Sequence, residues 1–126
     1  LLGPVSTQAC IPQWQNVNLP VQAGKNATLR VWLMDSFGNN VSRHTFSRED
    51  PAIFAVHVMS VGSFGNTSTI KSFELVSKLN MADGYQEFYL SIKKVGQYKI
   101  YVNDKNTSIS GSPASLEVIP GEFMYL

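Results

Sequence analysis

Gly96-Gln97-Tyr98-Lys99-Ile100-Tyr101-Val102 decides the fold. Tyr98, Ile100 and Val102 alternate with Lys99 and Tyr101. A half-buried strand requires this period of two, because successive side chains point to opposite faces. Gly96 permits a sharp bend just before the run. Tyr98 offers a ring to bury and a hydroxyl that seeks a backbone partner.

The same period recurs in both directions. Upstream, Phe88, Leu90 and Ile92 alternate with Tyr89 and Ser91; Phe73 and Leu75 flank Glu74. Phe54, Val56 and Val58 alternate with Ala55 and His57, and Leu29, Val31 and Leu33 with Arg30, Trp32 and Met34. Downstream, Leu116 and Val118 flank Glu117. Clusters of Gly, Asn and Asp separate these runs: Gly24-Lys25-Asn26, residues 35–40, residues 62–66, Asp83-Gly84 and residues 103–106. Such residues supply positive φ or local side-chain hydrogen bonds where a chain reverses. No segment carries a sustained 3.6-residue stripe; residues 42–52 hold a short helical turn at most. The pattern predicts strands A near 8–22 (broken at Pro12 or Pro20), B near 27–35, C near 53–61, D near 69–76, E near 85–93, F near 97–103 and G near 113–119. Seven short strands with these turns make an all-β, immunoglobulin-like sandwich of two antiparallel sheets.

Residues 1–126 suffice for one domain with its own core, and Pro120-Gly121 opens an exit, 120–126, toward a linker or next domain. Hydrophobic residues make up 44% and charged residues 15%, the opposite of a disordered composition. With a net charge of +1 and scattered Lys and Arg, nothing marks a nucleic-acid surface. No apolar run approaches the ~20 residues that span a bilayer, and no charged-then-apolar leader is present. If the native protein is secreted or membrane-anchored, the signal and anchor lie outside these residues.

Two stretches in the C-terminal half resemble filamin repeats, whose pattern runs Asp-Gly, an alternating strand, Gly-x-Tyr-x-Ile-x-Val, a loop, then Ile-Pro-Gly-Ser-Pro-Phe-x-Val-x-Val. Here Asp83-Gly84 is followed by the Phe88/Leu90 alternation, by Gly96 to Val102 without a gap, and by Ile109-Ser110-Gly111-Ser112-Pro113-Ala114-Ser115-Leu116-Glu117-Val118. Ala23-Gly24-Lys25 and Asp35-x-x-Gly38-Asn39 extend the likeness more loosely to the first half. Two positions depart. The family's first proline is Ser110 and its phenylalanine is Ala114, so the core beside strand G needs another filler, Trp14 or Phe73. Gly111 and Pro113 shape the lead into strand G, where a proline at a strand's first residue is tolerated. These residues argue fold and not activity.

Four segments fit Asn-x-Ser/Thr, beginning at Asn26, Asn40, Asn66 and Asn106. From nine asparagines, chance would give about one or two. All four fall in predicted turns, where a glycan can project into solvent. A divergent filamin repeat with such sites resembles the filamin-like ectodomains of plant gamete surface proteins. That resemblance implies a membrane-anchored adhesion factor on the extracellular side of the plasma membrane, acting in gamete attachment before fertilisation.

The single cysteine, Cys10, is either a buried, idle thiol or one half of a disulfide to a neighbouring domain. No catalytic constellation is visible. His57 is the outward residue of strand C, and His44 lies in a charged loop with Arg43, Arg48, Glu49 and Asp50. Zinc or hydrolase chemistry needs convergent ligands. No metal and no cofactor is expected, and turn formation explains Asp35, Asp83 and Asp104 better than calcium binding does.

Two surfaces are candidates for protein contact. Trp32 and Met34 point away from the core if Leu29, Val31 and Leu33 point in; large exposed apolar groups can mark an interface, unless a loop or strand A folds over them. By resemblance, an edge groove between strands C and D, residues 54–60 and 69–76 with Ile70, Phe73 and Leu75, accepts an extended peptide as an added strand. A glycan at Asn66 would crowd one end of it. The leading expectation is a non-catalytic adhesion module that binds a protein on an apposed cell or its own kind, beside neighbouring filamin-like domains, with many weak contacts giving avidity. The alternative is an intracellular scaffold repeat that binds peptides at the C–D edge. An accessory domain of an enzyme is the third reading.

Overall fold

In the computed structural model, which describes residues 6–15, 19–41, 54–80, 82–104 and 107–121, the alternating runs become strands. In chain order these are β1 Ile11–Trp14, β2 Val21–Gln22, β3 Asn26–Trp32, β4 Ala55–Val61, β5 Thr67–Thr69, β6 Glu74–Asn80, β7 Tyr85–Ser91, β8 Gly96–Asp104, β9 Thr107–Ser108 and β10 Ala114–Ile119. One sheet has the order β1-β3-β7-β6, the other β2-β10-β8-β4-β5, with β9 paired to the end of β8. Every pairing is antiparallel except β2 with β10, which is parallel. The chain is therefore an all-β sandwich of the immunoglobulin-like, filamin type.

Alternation is what closes the core. Ala27, Leu29 and Val31 of β3 are buried, and so are Phe88 and Leu90 of β7; against them pack Val58 of β4, Tyr98, Ile100 and Val102 of β8, and Leu116 and Val118 of β10. Each fully buried Val, Leu or Ile contributes about 1.5–3 kcal/mol relative to exposure. The Tyr98 hydroxyl donates to the Lys94 carbonyl at 2.6 Å, so the buried ring keeps its polar end satisfied, as at the tyrosine corner of other sandwiches.

Strands A and D are each divided in the structure, A at the second of its two expected break points and D where no break is expected. Strand A breaks before Pro20, not at Pro12: Pro12 lies within β1, opposite Val31. An edge strand tolerates proline because one side of its ladder is unpaired. The predicted strand D, 69–76, is two strands in two sheets. Thr67–Thr69 pairs with β4, then residues 70–73 cross over, and Glu74–Asn80 pairs with β7. Phe73 thus precedes β6, while Leu75 lies opposite Leu90 in the ladder but stays exposed at this edge of the sheet.

Two polar side chains brace the sandwich from inside. Gln86 is fully buried on β7, and its Oε1 accepts from the Phe54 amide at 3.0 Å; Phe54 leads into β4 of the opposite sheet. Asp35 is also fully buried, and its carboxylate accepts from the amides of Phe37 and Asn39 at 2.9 and 2.8 Å. Asp35 is thus a turn-former, as expected of it.

Candidate functional site

The outer face of the four-stranded sheet is built by register. Arg30 lies directly opposite Glu87, and Trp32 opposite Tyr85; directly opposed residues share a face and touch. Arg30 grips Glu87 Oε2 through Nη2 at 2.7 Å and through Nε at 2.8 Å. Its guanidinium carbon stands 4.0 Å from the Tyr85 ring centre and 5.3 Å from that of Trp32. The two rings meet edge to face, 5.1 Å apart at 70°. Gln13 of β1 accepts the Trp32 indole N–H at 2.9 Å. On the other side the Tyr89 hydroxyl donates to Glu87, and Lys78 of β6 reaches over Tyr89, 5.8 Å from its ring centre. Exposed Ile11 and Val76 flank the cluster.

Charge follows geometry here. Burial would raise the Glu87 carboxyl, but hydrogen bonds from Tyr89 and Arg30, with the Arg30 and Lys78 charges, outweigh it and hold the group below its ordinary value. The hydrogen bond to Glu87 is also the main cause that raises Tyr89. The result is a fixed array of Trp, Tyr and Arg side chains, the types enriched at protein interfaces, ordered before any partner arrives.

Trp32 therefore points away from the core, as the alternation implies, and is half-buried because Gln13, Arg30 and Tyr85 hold it. Met34 is half-buried too, and its backbone is tied to the N-terminal segment: its carbonyl accepts from Ser6 at 2.8 Å and its amide faces Cys10 Sγ at 3.5 Å.

A second surface runs along β4. β5 covers β4 only at Met59–Val61, and the Ile70 amide donates to Val58 at 3.1 Å. Beside Val56, His57 and Val58 an open groove of about 330 Å³ is lined by Thr69, Ile70, Lys71 and Phe73. Ile70 and Phe73 thus meet at the expected edge, whereas Leu75 does not line this groove: it belongs to the other sheet. A third recess, about 420 Å³, opens where Ser110 and Ala114 stand, between β1 and β10. Trp14 lines it and packs partly on the core, whereas Phe73 lies across the molecule.

Among the glycosylation candidates, Asn26 and Asn66 are exposed. Asn40 is exposed as a residue, but its Nδ2 donates to Leu33 O at 3.1 Å and Gly84 O at 3.0 Å. Asn106 lies outside the described residues, as do His44 and its charged neighbours. His57 is exposed on β4. Cys10 is fully buried; a disulfide to another domain would have to uncover it, and burial raises its thiol above the ordinary value. Among the described residues no three His, Cys, Asp or Glu side chains gather to hold a metal, and no helix is long and apolar enough to cross a membrane.

A family model described as the GEX2 N-terminal Ig-like domain matches residues 8–118. Among solved structures, the crystal structure of the Lin-41 filamin domain aligns with a TM-score of 0.64 and 15% identity, over 94% of this chain and 100% of that one. At that identity the likeness is one of fold. No curated protein matches the sequence.

Proposed function

The chain belongs to the GEX2 N-terminal Ig-like domain family, and from that membership we propose that it is a non-catalytic adhesion module on the extracellular side of the plasma membrane, acting in gamete attachment. An anchor elsewhere in its protein holds it there. It meets a protein on the apposed cell or a second copy of itself. The observation that carries this reading is the preset Trp32–Arg30–Tyr85 face with exposed Ile11 and Val76 beside it. Side chains already locked lose little entropy on binding, and weak contacts multiplied over many copies hold cells together. The exposed sequon asparagines on the same domain support the compartment.

The test uses beads coated with the full ectodomain. Ile11→Asp and Val76→Asp alter exposed groups on this face and spare the core. Adhesion should fall while the melting temperature holds. Unchanged adhesion with both substitutions, or glycan-free native protein, would sink the reading.

The groove beside Val56–Val58 favours one further reading, strand addition by a partner's peptide. It predicts chemical-shift changes confined to residues 55–58 and 69–73 when a partner tail is added.

A further inference from the structure

Phe64 is fully exposed (100%), and among the described residues it is the only non-glycine with positive φ, 64°. A bulky side chain in that backbone region is an outlier that needs a reason. The turn that holds it is well defined. Gly62 N donates to Asn66 O at 2.6 Å and Gly65 N to Gly62 O at 3.2 Å, and the β4–β5 ladder begins at once with Val61 opposite Thr67. The same hydrogen-bonded turn therefore presents Phe64 and, two residues on, Asn66. Asn66 is exposed and heads the sequon Asn66-Thr67-Ser68.

We propose that Asn66 carries an N-linked glycan and that the Phe64 ring is the seat of its first N-acetylglucosamine. The idea rests on the extracellular reading above. Transfer from a lipid-linked oligosaccharide pyrophosphate forms the bond between Asn66 Nδ2 and sugar C1. The C1–O bond to the pyrophosphate breaks, and the amide gives up one proton and keeps one N–H. A pyranose has one face of C–H groups, and an aromatic face is its natural cover: apolar area leaves water on both sides, and C–H groups meet the negative π face. A ring left wholly in water and an acceptor asparagine on one tight turn are the two halves of that contact. Among the described residues the other strongly exposed phenylalanine, Phe37 (78%), has no such arrangement: Asn40, three residues on, uses its amide nitrogen on Leu33 and Gly84.

The experiment expresses the full ectodomain through the secretory pathway of eukaryotic cells, as wild type, Asn66→Gln, Phe64→Ala and the double variant. Peptide mapping should find Asn66 occupied. Trimming the glycan to its first sugar should leave the melting temperature unchanged, and Asn66→Gln should lower it by several degrees. In the Phe64→Ala background, Asn66→Gln should have no further effect, and sugar ring protons that are shifted upfield by the ring current should return to ordinary positions. An unoccupied Asn66, or an Asn66→Gln effect that is the same with and without the Phe64 ring, overturns the proposal. The compartment is tested separately on native protein. If that carries no glycan while the secreted protein shows the Phe64–Asn66 coupling, the extracellular reading falls and the site chemistry stands.

Discussion

The side-chain amide of Asn40 donates to the Gly84 carbonyl at 3.0 Å, joining the loop after β3 to the turn between β6 and β7. Gly84 is buried at φ +75°, and a Cβ there would lie 2.2 Å from Val41 O and 2.7 Å from Asn40 Oδ1. Gly38 shares the positive φ, +85°, with nothing within 4 Å. Gly38→Ala should therefore cost only the left-handed penalty, about 1–2 kcal/mol. Gly84→Ala should cost distinctly more, about 3 kcal/mol or above, because backbone must also move. Urea unfolding of the two variants measures the gap; equal costs would show that the close approach is absent.

Asn40 itself should behave as a bracket and not as a glycan acceptor. Its Nδ2 spends two hydrogens on carbonyls, and a glycosylated amide keeps one. Asn40→Ala should cost about 1–2 kcal/mol. Asn40→Asp should cost more, since an oxygen would then face the Leu33 and Gly84 carbonyl oxygens. Folded, secreted protein should carry no sugar at Asn40, and Ser42→Ala, which removes the sequon, should change its mass only by the hydroxyl oxygen lost and by no glycan.

How much of this was legible beforehand depends on whether a feature is local or relational. Alternation is local, so β3, β4, β7, β8 and β10 and the outward direction of Trp32 follow from the sequence alone. The split of the predicted strand D does not. Phe73 and Leu75 flank Glu74 in proper alternation, yet Phe73 belongs to the crossover between sheets, and nothing in a period of two marks where a chain changes partners. Register is relational too. Arg30 and Glu87 are 57 positions apart, and only the pairing of β3 with β7 makes them one ion pair beneath Tyr85 and Tyr89. Gln86 was illegible for another reason: a polar residue at an inward position reads as a fault in the pattern until Phe54 is seen to occupy it.

Acid and alkali should weaken the domain at different places. Glu87 is held below its ordinary value of 4.5, so the folded state binds its proton less readily than the unfolded chain. Its contribution is present above pH 4.5 and is lost as pH falls through the lower folded value. Tyr98, raised by burial, and Tyr89, raised mainly by Glu87, work in reverse. Their contribution is complete below their ordinary value of 10.0 and is lost as pH rises through the higher folded values. Glu87→Gln should flatten the acid limb of a stability–pH profile. Tyr98→Phe should flatten part of the alkaline limb and cost about 1 kcal/mol at neutral pH for the bond to Lys94. Profiles indistinguishable from wild type in both variants would refute the assignment.

Cys10 supplies the last test, because its two sequence readings make opposite predictions about one reagent. The thiol is fully buried and lies 3.3 Å from Ser6 O. Burial that raises its pKa also lowers the thiolate fraction available to react. In the folded ectodomain a maleimide should label Cys10 only as fast as the protein opens, so the labelling rate should climb with denaturant alongside unfolding. In denatured, unreduced protein the label should go on fully. If Cys10 were instead bonded to another domain, denatured protein would stay unlabelled until a reductant was added, and the N-terminal segment would have to leave the position in which Ser6 N meets Met34 O at 2.8 Å. Full labelling on denaturation alone is the expected result, since a buried sulfur packed among Ser6 and Met34 has no path to a partner while those contacts hold.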